Sequence, residues 1–179
     1  LGPRLAQRQQ HQDEGVLDLE TDWDGSWEMT VVVVSGRTGT DRAALRDRLA
    51  HYRLAELREG VWTRPANLSR PRAYADETVL STFTATPDED PATLAAGLWD
   101  LRAWARTGRD LLDALATTSE PALRLAVAAW LVRHIASDPL LPAALLPADW
   151  PAAAMRSAYA DYQAELRDLA VAPSTTRSS

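Results

Sequence analysis

The chain has 179 residues, a mass of 19.6 kDa and a hydrophobic fraction of 46%, enough for one large or two small domains with packed cores. It has no cysteine, which excludes disulfides and thiolate chemistry, and no apolar run approaches the roughly 18 residues of a membrane helix. The net charge of −6 is uneven: seven acids and no base lie from Asp13 to Glu28, whereas nine Arg stand against four acids from Arg37 to Arg72. A basic middle in an acidic protein can draw a polyphosphate or nucleic acid, but composition alone favours a solvated face with local ion pairs. No cationic segment followed by an apolar one opens the chain, so the expected compartment is the cytoplasm.

Residues 1–24 begin with Leu, read as the end of a preceding segment, and run into an acidic linker. Trp27 to Ser35 (WEMTVVVVS) is β-branched and apolar enough for a central strand buried on both faces. After the turn SGRTGT, Thr40 or Asp41 can cap a helix with Leu45, Leu49 and Tyr52 on one stripe. LAELREGVWTRP is two extended runs broken at Glu59-Gly60, a hairpin. Pro65 to Asp76 is polar and irregular, and Thr78 to Thr86 alternates as a fourth strand. The order β-α-β-β-loop-β over residues 25–88 predicts a small α+β domain, ferredoxin-like but without a second helix.

Residues 89–170 predict an all-α helical domain. Asp90 and Pro91 start a helix whose apolar stripe runs unbroken from Leu94 to Leu115, with Gly108 as its weak point. Ser119 and Pro121 start another, with Leu123, Val127, Trp130, Leu131 and Ile135 inward. Four prolines interrupt Asp138 to Pro151 (DPLLPAALLPADWP), so this stretch is a stiff apolar connector rather than helix. Asp149 then caps a last helix bearing Met155, Tyr159, Tyr162, Leu166 and Leu169, and residues 171–179 form a polar, disordered tail.

Three blocks together resemble the PaaX-like family of transcriptional repressors: WDGSWEMTVV with GVWTRP, LWDLRAW, and DPLLPAALLPADWP. The positions that carry the resemblance include Trp23, Trp27, Trp99, Asp138, Pro139, Leu141, Pro142, Pro147, Asp149, Trp150 and Pro151. The resemblance implies a Cas2-like ferredoxin domain followed by a helical domain. It implies a homodimer that senses an aryl-CoA thioester such as phenylacetyl-CoA, and operator contact through an upstream winged-helix domain absent from this chain. The rival reading is an orphan ligand-binding or oligomerisation module without DNA contact of its own. The family's central domain usually has a helix between its third and fourth strands, and Ala66 to Asp76 is too short and polar for one.

No catalytic set is legible. Cas2-like nucleases place a metal-binding Asp at the end of the first strand, where this chain has Ser35, a poor ligand. His11, His51 and His134 are scattered without ligand spacing, and no G-x-S-x-G elbow is present. The turn SGRTGT lacks a P-loop Lys and has Asp41 where an anion would approach. The expectation is therefore a non-enzyme without metal or cofactor. An aryl thioester needs an aromatic slot with Arg at its mouth, and two pairings are candidates: Trp62 with Arg64, and Trp150 with Arg133 and His134. For each Trp taken singly, core packing is the simpler reading.

Overall fold

The computed structural model describes residues 20–34, 36 and 38–171. The start of the chain, Ser35 and the polar tail from residue 172 lie outside the described residues, and with them the readings made on those positions.

Four strands form one antiparallel sheet in the order β2-β3-β1-β4: β1 (Trp27–Val32), β2 (Ala55–Arg58), β3 (Val61–Pro65) and β4 (Leu80–Ala85). Helix α1 (Gly39–His51) connects β1 to β2, which places β3 between two strands joined by a crossover, the split β-α-β arrangement of a ferredoxin-like fold. Only a short 3-10 turn (Ala73–Asp76) stands where the second helix would be, so that absence is a feature of the fold. Gly60 closes the β2–β3 hairpin at φ +74°, a conformation that costs glycine nothing.

Cross-strand register puts Thr30 opposite Trp62, and Val32 opposite Leu80, on the face that packs against α1. Leu45, Leu49, Leu54, Trp62, Tyr74 and Leu80 form the core there. The first strand ends at Val32 rather than Ser35, leaving Val33 and Val34 exposed. The cap of α1 is Thr38, ahead of both Thr40 and Asp41. Its hydroxyl accepts from the Asp41 amide while the Asp41 carboxylate accepts from the Thr38 amide, a reciprocal capping box.

The helical segments are α2 (Pro91–Leu98), α3 (Leu101–Thr117), α4 (Pro121–Ala136) and α5 (Ala152–Val171). Asp90 caps α2 through the Thr93 amide, with Pro91 at the first position as expected. The stripe from Leu94 to Leu115 is not one helix. It breaks at Trp99, which is extended (φ −127°, ψ 134°), whereas Gly108 sits inside α3, close against Pro151 and Met155. Leu131 and Ile135 are buried on α4, but Leu123 and Trp130 face solvent, as do Leu166 and Leu169 on α5. An amphipathic stripe marks what can be buried, and these helices use only part of it. The last helix starts at Ala152, its first turn closed by the Met155 amide on the Pro151 carbonyl, so Asp149 lies ahead of the cap position.

Two compact units result, and they are discontinuous in sequence. Among the described residues, one comprises those from 20 to 101 with Pro139–Pro147; the other comprises Arg102–Asp138 with residues 148–171. In the first unit α2 lies against β2 and the 3-10 turn Ala143–Leu145. In the second, Leu115, Ala128, Leu131, Ile135, Met155 and Tyr162 form the core of α3, α4 and α5.

Candidate functional site

Within the α+β unit, alternation on the strands places Glu28 opposite Arg64 on the α1 face, at the far end of the strands from Val32. Both are fully buried. The Glu28 carboxylate accepts from Tyr74 Oη and from Arg70 (3.2 Å), with Arg72 3.6 Å from its second oxygen. Burial, followed by the hydrogen bond and charge of Glu28, pushes the Tyr74 phenol well above its usual range. The Arg64 guanidinium is pulled down to about 9 by burial, partly offset by the Glu28 charge. It donates to the Pro139 carbonyl (3.3 Å), the Leu140 carbonyl (2.9 Å) and Asn67 Oδ1 (2.8 Å), while Asn67 also donates to Leu140 (3.0 Å). Arg64 is thus occupied in holding the proline-rich strap.

Leu141 and Pro142 of the family pattern lie in this strap. Leu140 has φ +51°, unusual for a residue with a Cβ, and two donors on its carbonyl hold it there. Leu141 and Leu145 are buried, and Pro142 offers the carbonyl that closes the 3-10 turn. Trp27 is buried in the same unit, and Trp23 meets it edge to face at 6.5 Å while donating to the Ser26 carbonyl (2.7 Å). The Asp24 carboxyl accepts from the Ser26 hydroxyl and amide, which hold it below the usual range.

In the helical unit Asp138 is buried and accepts from Arg156 (2.8 Å). Trp104 stacks between two of the sequence-predicted residues: Trp150 at 4.3 Å and His134 at 4.4 Å, ring planes within 13° and 20°. His134 Nε2 is 2.8 Å from the Trp104 carbonyl. His134 and Arg133, with Thr107, Leu111, Trp130 and Ser137, line a shallow groove of roughly 400 Å³. Arg133 donates its Nε to the Ala129 carbonyl of its own helix (3.2 Å). Trp150 reaches His134 only through Trp104, and the groove's exposed aromatic is Trp130, which the helical stripe had assigned to the interior.

Trp62 is buried but contributes to the wall of a larger opening in the α+β unit, a cleft of roughly 790 Å³ at the end of β1. Arg42 and Arg46 from α1 and Arg58 from β2 stand at this cleft, with Glu56 and Glu59. Arg46 pairs with Glu56 at 3.0 Å. These arginines belong to the basic stretch that composition alone read as a solvated face. Among the described residues no three His, Asp or Glu gather to hold a metal ion, and no helix is long and apolar enough to cross a membrane.

A split β-α-β sheet with a strap returning to it, followed by a three-helix unit, defines a two-part α+β protein whose first part has the Cas2-like ferredoxin topology. Residues 20–94 match the PaaX protein central Cas2-like domain and residues 99–173 the PaaX-like protein C-terminal domain. The chain belongs to the PaaX-like family, whose domains are of the regulator type rather than enzymatic. Among solved structures it is similar to the uncharacterized protein Rv0674 from Mycobacterium tuberculosis. The two are 43% identical with a TM-score of 0.82, over 94% of this chain and 71% of that one. No curated protein matches.

Proposed function

We propose that this chain is the effector-sensing and dimerisation region of a PaaX-like transcriptional repressor, responding to an aryl-CoA thioester such as phenylacetyl-CoA. The match to both the central and the C-terminal domain of the family carries this reading. Two openings with aromatic walls and arginines support a ligand-binding role over a purely structural one. DNA contact in this reading comes from a winged-helix domain rather than from the two domains described above. The ligand regulates by binding one dimer geometry better than another, since equal affinity for both would shift nothing.

Calorimetric titration with phenylacetyl-CoA, free CoA and phenylacetate tests the sensing part, and sedimentation with and without ligand tests the dimer. The expected result is saturable binding of the thioester without its turnover, by a species of twice 19.6 kDa. Hydrolysis of the thioester, or no binding at all, overturns the reading.

A further inference from the structure

The larger cleft differs from the helical groove in more than size. Its floor, Val32, Leu45 and Trp62, is apolar, while Arg42, Arg46 and Arg58 approach from two separate elements. Arg42 and Arg46 are four residues apart on α1, so they share a face. Arg58 stands where the β2–β3 register slips between Glu56 and Arg58, a bulge of the kind that re-aims a side chain beside a site. Arg58 makes no ion pair with a described residue. The Arg46–Glu56 pair is solvent-exposed on the Arg side, so a stronger anion displaces it at little cost. The groove, at roughly 400 Å³, has one guanidinium, Arg133.

A CoA ester presents an apolar acyl body at one end and several phosphate groups at the other. We infer that the cleft between α1 and the β2–β3 hairpin, rather than the helical groove, takes this amphipathic anion. The aryl group lies against Trp62 and Leu45, and Arg42, Arg46 and Arg58 receive the phosphates. This rests on the effector-sensing reading above and adds the place and the contacts. It also gives the basic stretch a purpose: part of it is spent on buried Glu28, part on the cleft.

The test compares phenylacetyl-CoA binding to the unmodified chain, to an Arg42→Ala/Arg58→Ala double variant, and to Arg133→Ala. All three arginines are exposed, so each variant is expected to keep its circular dichroism and melting temperature. The cleft predicts that the double variant binds about tenfold or more weakly, as loss of charge-assisted hydrogen bonds implies. It also predicts that Arg133→Ala stays within about twofold and that free CoA shows the same ranking. A double variant that binds as well as the unmodified chain, with Arg133→Ala impaired, overturns the cleft and leaves the sensing reading intact. An unmodified chain that binds no thioester overturns both.

Discussion

Arg64 is buried and its donors bind the strap. Its neutral form is favoured by burial, yet at about 9 it still holds its proton at neutral pH, and its donors meet two strap carbonyls and Asn67. Arg64→Met leaves those acceptors and the buried Glu28 charge less compensated, a loss of about 3 kcal/mol by chemical denaturation. Arg64→Lys recovers little of it, because one ammonium cannot reproduce a planar fork on separate carbonyls. The pairing of Trp62 with Arg64 named from the sequence does share one strand face, since the two lie two residues apart on β3. Which end of that face opens to solvent was not legible, because the partners of Arg64 lie 75 and 76 residues away. Glu28 was read as part of an acidic run for the same reason: its cations, Arg70 and Arg72, come from a segment with no periodicity.

At the scale of elements, the start of α2 was legible because a cap is a local device, whereas the α1 cap lies ahead of the expected residues and Asp149 lies outside the α5 cap. Asp90 shows the chemistry: its carboxylate accepts from the Thr93 amide and hydroxyl, which hold it below its ordinary 3.8. A depressed folded-state value means that the cap's contribution is complete above pH 3.8 and disappears as pH falls through the lower value. An NMR titration should give Asp90 a midpoint below 3.8, and Asp90→Asn should remove the acid dependence while keeping much of the cap. The helix break was not legible, because glycine is only a weak breaker and close packing can require it. A Cβ at Gly108 would meet Met155 Sδ at 2.7 Å and Pro151 Cγ at 3.0 Å. Overpacking of about 1–3 kcal/mol against a propensity gain of about 1 kcal/mol makes Gly108→Ala destabilising by roughly 1 kcal/mol, measurable as a lower denaturation midpoint. A stabilised variant would mean that the contact is loose.

For the whole molecule, the strap decides how the chain can be divided. Its prolines announced a rigid connector, and the sequence order suggested that it merely joins two helices. Pro139–Pro147 instead belongs to the compact unit formed by the described residues up to Leu101, because Arg64 and Asn67 bind its backbone and Leu140, Leu141 and Leu145 are buried. Long-range docking of this kind leaves no periodic trace, since the buried leucines are spaced by prolines rather than by a helical or strand period. Burying three leucines contributes about 5 kcal/mol or more, on the order of the whole stability of a small domain. A chain of residues 20–101 alone should therefore melt lower and exchange its β3 amides faster than one carrying residues 138–148 on a flexible linker. Arg64→Met should erase most of the gain from the added segment, since the donors that hold it are then gone. Equal melting of the two chains would show that the sheet completes its core without the strap, and the proline-rich segment would then be a tether rather than part of the fold.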